Sequence, residues 1–196
     1  RYYNPADPAS YEAYAYNTYK EHKRMGVNGL DIDMEPEIIP SSTEETKKII
    51  AALGKYFGPK SNTGMLLVFG TDQKPNSTIG KIFEQTYQYF NQVWFQAYNC
   101  SGDRWYGDST ALTNIMNFYG GKLGNKNFFA LGNGQKGCAW KPSTYWSADA
   151  TILGYARWSK KVGAGGVGAY GLNYDYDNNN YENVREAIKI LKGRNN

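Results

Sequence analysis

Three acidic side chains alternate with large aliphatic ones over residues 29–35, in the order Gly-Leu-Asp-Ile-Asp-Met-Glu. In a β-strand successive side chains point to opposite faces, so Asp31, Asp33 and Glu35 share one face and the aliphatic residues share the other. If the aliphatic face packs against helices, the acids point into a crevice or a barrel interior. Like charges are costly there, which indicates a function for the cluster.

Two kinds of chemistry suit these acids. A carboxylic acid that keeps its proton near neutral pH because other carboxylates lie beside it can act as a general acid. Glu35 is the candidate for that role, with Asp33 and Asp31 as the neighbouring charges. Clustered carboxylates also suit hard cations, and a solvated acidic edge strand is the interpretation without chemistry. The strict alternation favours the general acid, and we predict neither a metal site nor a cofactor.

Polar residues also close the other apolar segments. Residues 93–99 alternate again, as Val-Trp-Phe-Gln-Ala-Tyr-Asn, which places Gln96 and Tyr98 on one face with Asn99 at the carboxyl end. Residues 69–72 close another such segment. The remaining candidates for substrate contact at segment ends are Asp72, Asn133 and Tyr170. Core packing of Tyr98 and ordinary loop chemistry are the alternatives for these positions.

The elements that must position these residues recur in a regular order. Apolar segments bounded by Gly, Asn or Pro alternate with amphipathic segments at intervals of roughly 30 to 40 residues, as strand-helix units do. Strands are predicted over 29–34, 65–69, 93–98, 127–131 and 166–170, and helices over 8–25, 43–57, 78–90, 110–122, 145–161 and 181–192. No linker interrupts this α(βα)5 series, so we predict a single domain over residues 1–196.

Capping signals define the ends of two helices. Asp7 precedes Pro8 at the start of the first helix, and Gly26 follows its end. Ser42 with Glu45 forms a capping box for the second helix, which the Gly-Pro pair at 58–59 is predicted to end.

Charge and composition narrow the function classes. The net charge of +4 is spread along the sequence, which does not favour nucleic acid. The apolar run 65–69, which no other apolar run exceeds in length, is far shorter than the ~20 residues that span a membrane. The chain is rich in aromatic residues, with eighteen tyrosines and five tryptophans. Such rings are common in sites that bind sugars, although ordinary packing accounts for most of them. Cys100 and Cys138 are either one disulfide or two thiols.

The run from residue 28 to 35 resembles the DxxDxDxE signature of glycoside hydrolase family 18, which contains chitinases and endo-β-N-acetylglucosaminidases. Asn28 stands in place of the first Asp. The resemblance implies an α/β fold, the (βα)8 TIM barrel, with this motif on the fourth strand. It also implies that Asn28 lies deepest in the barrel, where it would weaken the tuning of Asp31.

The same resemblance implies a role for each residue. Glu35 would protonate the glycosidic oxygen and act as the general acid/base. Asp33 would orient the N-acetyl group of the substrate, whose carbonyl oxygen attacks the anomeric carbon, and Asp31 would be the inner charge partner. Gln96 and Tyr98 resemble the Met-x-Tyr pattern of the sixth strand, in which the Tyr hydroxyl steadies the acetamido oxygen.

The length of the chain conflicts with a complete barrel. A (βα)8 barrel usually needs about 250 residues, and the fourth-strand motif begins here after a single helix. We therefore expect the chain to supply α3 to β8α8, the carboxyl-terminal portion of the barrel. The predicted partner is the amino-terminal portion of the same barrel, because a five-stranded sheet open at both edges would expose unpaired backbone groups.

Two function classes follow from the resemblance. The favoured one is an enzyme that cleaves the β1,4 bond next to N-acetylglucosamine in a glycan or glycoprotein, either an N-glycan endoglycosidase or a chitinase. Chitinases often have Trp on the last strand where this chain has Tyr170, which favours the endoglycosidase. The other class is a non-catalytic glycan-binding relative, and the presence of Glu35 argues against it. Such substrates, and a disulfide between the two cysteines, imply a secreted, periplasmic or bacterial cell-surface location.

Overall fold

The computed structural model describes residues 7–36, 42–97, 109–133, 152–170 and 180–193. The chain forms two compact units, residues 1–93 and 94–196. The described α-helices and strands follow the predicted strand-helix order, and the β1–β2 and β4–β5 pairs are parallel, which confirms the α/β class. The single-domain organisation stays a prediction. Within these ranges no helix has both the length and the hydropathy to cross a membrane.

The first unit contains the predicted catalytic strand. Its elements are α1 (Pro8–Met25), β1 (Gly29–Asp33), α2 (Thr43–Leu53), β2 (Leu66–Thr71), α3 (Thr78–Thr86), a 3-10 turn (Tyr87–Tyr89) and the first residues of β3 (Gln92–Gln96). Strands β1 and β2 are parallel, and their register places Asp33 opposite Gly70. An aromatic cluster fills the core behind β2, where the Phe69 ring lies 4.9 Å from that of Phe83 and 5.0 Å from that of Phe90.

Among the described residues, the second unit contains the rest of β3 and three further α-helices. Its elements are α4 (Ser109–Leu123), a 3-10 turn (Asn125–Asn127), β4 (Phe128–Asn133), α5 (Ile152–Val162), β5 (Gly166–Tyr170) and α6 (Glu182–Lys192). Strands β4 and β5 are parallel, with Asn133 opposite Tyr170. Val167 and Ala169 of β5 pack against the core that α5 and α6 form. The other face of β5 therefore carries Gly168 and Tyr170.

The capping signals identify helix starts better than helix ends. Helix α1 has the predicted bounds, and the Asp7 side chain accepts the Ala9 N–H. Helix α2 begins after Ser42, whose hydroxyl accepts the Glu45 N–H. It ends at Leu53 rather than near residue 57, so the predicted end is wrong. Gly54 ends the helix in close contact with the Tyr89 ring, where a Cβ would come within 2.3 Å of a ring carbon.

The strand ends also differ from the predictions by a few residues. Strand β2 runs from Leu66 to Thr71 rather than over 65–69, so Gly70 and Thr71 belong to the strand. Both are buried, and the Met34 N–H donates to the Gly70 carbonyl at 2.7 Å. This bond extends the pairing beyond Asp33, where β1 ends.

Candidate active site

Strand β1 separates its acidic and aliphatic side chains as predicted. Asp31 and Asp33 lie on one face and are each more than a third exposed to solvent. Ile32 is partly buried between them, and Met34, directly after the strand, is only 2% exposed. The alternation in the sequence therefore corresponds to an open, charged face and a more buried aliphatic face.

On this face, the unfavourable electrostatic environment raises the pKa of Asp31. Burial, followed by the negative charge of Asp33, raises the pKa of Asp31 from 3.8 to about 6. Although the side chain is partly exposed, enough protein surrounds its carboxyl group to disfavour the charged form. The negative charge of Asp33 thus acts on Asp31, and the role of Asp31 as inner charge partner stays a prediction.

Glycine at position 70 leaves room for the Asp31 carboxylate on the neighbouring strand. A Cβ built on Gly70 would lie 3.0 and 3.3 Å from the two carboxylate oxygens of Asp31. The first of these distances is shorter than ordinary contact between carbon and oxygen. Any side chain at position 70 would therefore push the carboxylate away from β2.

The segment that carries Glu35 is tied to β2 through its backbone. The Met34 N–H donates to the Gly70 carbonyl at 2.7 Å, and the Thr71 hydroxyl donates to the Met34 carbonyl at 2.9 Å. Glu35 follows immediately and is half-buried. The residue before the predicted general acid is therefore fixed in place. The N–H and the carbonyl of Met34 are hydrogen-bonded to β2, and its side chain is buried.

Asp72 lies where the sequence predicted, directly after β2. It is half-buried, and its carboxylate accepts a hydrogen bond from the Gln73 side-chain amide. Because β1 and β2 are parallel, Asp72 and Glu35 both follow the carboxyl ends of paired strands.

The predicted residues of β3 are divided between described and undescribed parts of the chain. Gln96 is 8% exposed, and Trp94, two residues earlier on the same face, is 38% exposed. The Trp94 ring lies 6.4 Å from that of Phe129 on β4. Tyr98, Asn99, Cys100 and Cys138 lie outside the described residues.

The strand register brings Asn133 and Tyr170 together at the carboxyl ends of β4 and β5. Tyr170 is about one third exposed, at 36%. Its face of β5 also carries Gly168, where a Cβ would lie 2.5 Å from a Leu131 methyl group. Tyr170 therefore lies on the face of β5 opposite the core that α5 and α6 form.

Asn28, at the position of the first motif acid, lies ahead of β1 with an exposed side chain. Its carbonyl accepts the Leu66 N–H at 2.9 Å. By strand alternation it belongs to the face of Leu30 rather than to that of Asp31. Within the described ranges, no group of three or more His, Cys, Asp or Glu side chains is arranged to hold a metal ion.

Sequence reasoning missed what Gly70 and Thr71 do, although it marked residues 69–72 as a strand end. Their contacts with Asp31 and Met34 depend on the register between β1 and β2. Residue types alone gave only a weak signal, a Gly-Thr pair at the end of an apolar run.

Comparison with known proteins identifies the family. The model of the endo-β-N-acetylglucosaminidase EndoS TIM-barrel domain matches residues 1–169. The chain belongs to this family. The match confirms the TIM-barrel fold and the recognised endo-β-N-acetylglucosaminidase type, and the parallel strand-helix units fit a part of such a barrel.

Individual relatives agree with the family. Endo-β-N-acetylglucosaminidase F2 of Elizabethkingia meningoseptica is 33% identical over 94% of this chain and 57% of its own length. The apo structure of an endo-β-N-acetylglucosaminidase from Cordyceps militaris has a TM-score of 0.70 at 23% identity, covering 96% of this chain and 64% of that chain. The catalytic domain of a family GH18 chitinase from the fern Peteris ryukyuensis has a TM-score of 0.66 at 17% identity, covering 94% and 65%. Both solved structures have the same fold as this chain. The chain spans a little over half the length of endo-β-N-acetylglucosaminidase F2.

Proposed function

We propose that the protein is a glycoside hydrolase that cleaves the β1,4 bond between the two N-acetylglucosamine residues of an N-glycan core. The observation that carries this proposal is the carboxylate run, in which Asp31 and Asp33 lie on an open face of β1 and the half-buried Glu35 follows directly after the strand. The family supports it, as does the similarity to an endo-β-N-acetylglucosaminidase at 33% identity.

The proposed reaction proceeds with assistance from the substrate. Glu35 donates its proton to the glycosidic oxygen, and the bond to the anomeric carbon breaks. The acetamido oxygen of the same sugar forms a bond to that carbon, while Asp33 holds the acetamido N–H. Glu35, now ionised, takes a proton from water as the water opens the cyclic intermediate. The configuration at the anomeric carbon is retained.

Asp31 contributes to this cycle through charge. Its pKa of about 6, raised by burial and by Asp33, means that Asp31 exchanges its proton close to neutral pH. When Asp31 is protonated, Asp33 carries its charge without a like charge two residues away. The protonation state of Asp31 therefore changes the charge next to Asp33.

The remaining predicted residues are proposed to contact the glycan. Tyr170 offers a partly exposed ring and hydroxyl, and Gln96 a largely buried amide. Asp72 lies at the end of β2, beside the catalytic strand. The other proposed contacts are Tyr98, Asn99 and Asn133.

We also propose that the amino-terminal portion of the barrel completes the fold. The chain accounts for 57% of the curated relative and 64% of the fungal structure, while nearly all of this chain is matched. Strand β1 pairs with β2 on one side, and a preceding barrel strand on its other side would protect the backbone at that edge.

The proposed location is secreted, periplasmic or on a bacterial cell surface. A disulfide between Cys100 and Cys138 would suit an oxidising compartment. Alkylation with and without a reductant, followed by intact-mass measurement, tests it. A pair of thiols that reacts without reductant would remove this support.

The proposed activity is tested by product mass spectrometry with the full-length protein. A high-mannose glycoprotein, a biantennary glycoprotein and a chitin oligomer are incubated separately. The proposal predicts a glycoprotein that retains one N-acetylglucosamine per site and a released glycan that carries the other. Cleavage of the chitin oligomer alone would instead identify a chitinase, and binding without cleavage would identify a glycan-binding relative.

A further inference from the structure

Thr71 has a buried hydroxyl that joins two segments of the active-site strands. The residue is fully buried at the end of β2. Its Oγ1 donates to the Met34 carbonyl at 2.9 Å and accepts the Gln73 N–H at 3.1 Å. One hydroxyl therefore connects the segment that follows β1 to the segment that follows β2.

Met34 is also hydrogen-bonded to β2 through its backbone N–H. Its N–H donates to the Gly70 carbonyl at 2.7 Å, and its side chain is 2% exposed. Both backbone polar groups of Met34 are thus hydrogen-bonded to β2. The N–H is bonded to the Gly70 carbonyl, and the carbonyl is bonded through the Thr71 hydroxyl. The hydroxyl thus completes the attachment at the point where β1 ends.

This attachment acts on Glu35 through peptide geometry. The Met34 carbonyl belongs to the peptide unit that also contains the N and Cα of Glu35, and the atoms of such a unit lie in one plane. Fixing the carbonyl oxygen therefore fixes the plane from which the Glu35 side chain starts. A small rotation of that plane would displace the carboxyl group at the far end of the side chain by much more.

We propose that Thr71 is a positioning residue, whose hydroxyl sets the orientation of the Glu35 carboxyl group through the Met34 carbonyl. The inference rests on the proposed function, in which Glu35 donates the proton. Proton transfer requires the acid within hydrogen-bond reach of the glycosidic oxygen, and a displacement of about 1 Å can cost on the order of 100-fold in rate.

The test compares three variants of the full-length protein on an N-glycan chitobiose substrate. Thr71→Val removes the hydroxyl and keeps the shape, Thr71→Ser keeps the hydroxyl, and Thr86→Val is the matched control. Thr86 is 2% exposed, and its hydroxyl donates to the Ile82 carbonyl at 2.7 Å inside α3. The control thus loses a buried hydrogen bond of the same kind within the same unit, in a helix.

We expect T71V to lower kcat by about 10- to 100-fold with KM little changed, because misplacing the acid affects the transition state more than binding. T71S should recover most of kcat, and T86V should keep it. Hydrogen exchange at the amide of Met34 should be faster in T71V than in the wild type and T86V. If T71V does not fold, T71A gives the same comparison without the added methyl group.

The outcomes separate this inference from the proposed function. A wild type that binds but never cleaves the chitobiose bond contradicts the proposed function, whereas the exchange rates still report whether Thr71 holds Met34. Active wild type with T71V and T86V equal in kcat and in exchange contradicts the role of Thr71. Equal losses of kcat in T71V and T71S would also overturn it, because serine retains the hydroxyl.

Discussion

The carboxyl ends of β1 and β2 differ in construction from those of β4 and β5. At the first pair, the carboxylates of Asp31 and Asp33 lie on an open face, and Met34 next to them donates its N–H to the Gly70 carbonyl and accepts a hydrogen bond from the Thr71 hydroxyl. At the second pair, Tyr170 projects from a strand whose opposite face packs against α5 and α6. The first arrangement suits proton transfer, which needs defined angles and tuned charge. The second suits contact with a ligand, which needs an accessible ring on a firm support.

Glycine serves a different purpose at each pair. At Gly70 the space that an absent Cβ leaves is bordered by the charged carboxylate of Asp31, at 3.0 Å. At Gly168 it is bordered by the Leu131 methyl group, at 2.5 Å. One glycine therefore protects an electrostatic arrangement and the other a packing arrangement.

The largest effect is expected at Glu35. Glu35→Gln keeps the shape of the side chain but supplies no proton to the leaving oxygen, so kcat should fall by at least about 100-fold. Glycan affinity, measured by calorimetry, should stay close to that of the wild type. Glu84→Gln on the exposed surface of α3 is the control, and its kcat should be unchanged. Full turnover by E35Q would remove the general acid from the account.

A binding effect is expected at Tyr170. Tyr170→Ala should raise KM by roughly 10-fold and lower kcat much less, because the ring is proposed to hold substrate and transition state alike. Tyr170→Phe, which keeps the ring, should recover most of the affinity. A fall in kcat at unchanged KM would place Tyr170 with the catalytic residues and erase the division between the two pairs of strands.

The two glycines provide a direct comparison. Gly70→Ala should lower kcat by about 10-fold and shift its pH profile, since the new methyl group displaces the Asp31 carboxylate. Gly168→Ala should cost stability, on the order of 1 to 3 kcal/mol from overpacking, and leave the pH profile alone. Kinetics from pH 4.5 to 8 and urea unfolding of both variants check this. Identical pH profiles would mean that Gly70 matters only for packing.

The smallest effect is expected for Asp31 in the pH dependence of stability. Its pKa rises from 3.8 to about 6 on folding, so between these values the folded state binds more protons than the unfolded state. Its contribution to the free energy of unfolding is therefore greatest below pH 3.8 and is lost as the pH rises through 6. Asp31→Asn should gain stability relative to the wild type between pH 5 and 7.5. Urea midpoints whose difference stays constant over that range would contradict the raised pKa.

The sequence predicts what is local and periodic. The alternation over residues 30–35 has a period of two, so it fixed which side chains share a face before any tertiary contact was known. The pKa of Asp31 is raised first by burial, which the alternation does not predict, and second by the charge of Asp33 on the same face.

Features that depend on distant contacts were missed. The end of α2 was predicted near residue 57, but the Tyr89 ring, from a later turn, occupies the space beside Gly54 where the helix ends. The roles of Gly70 and Thr71 required the register that sets Asp33 opposite Gly70. Neither that ring contact nor that register is encoded in the neighbouring residues.

The stereochemistry of the product tests the central claim most directly. Proton NMR of the first product, recorded within minutes of adding the full-length protein to an N-glycan chitobiose substrate, reports the anomeric configuration before mutarotation. Substrate-assisted catalysis by Glu35 and Asp33 predicts that the released N-acetylglucosamine end appears first as the β-anomer, with retention. Appearance of the α-anomer first would mean direct attack by water, and would contradict the account.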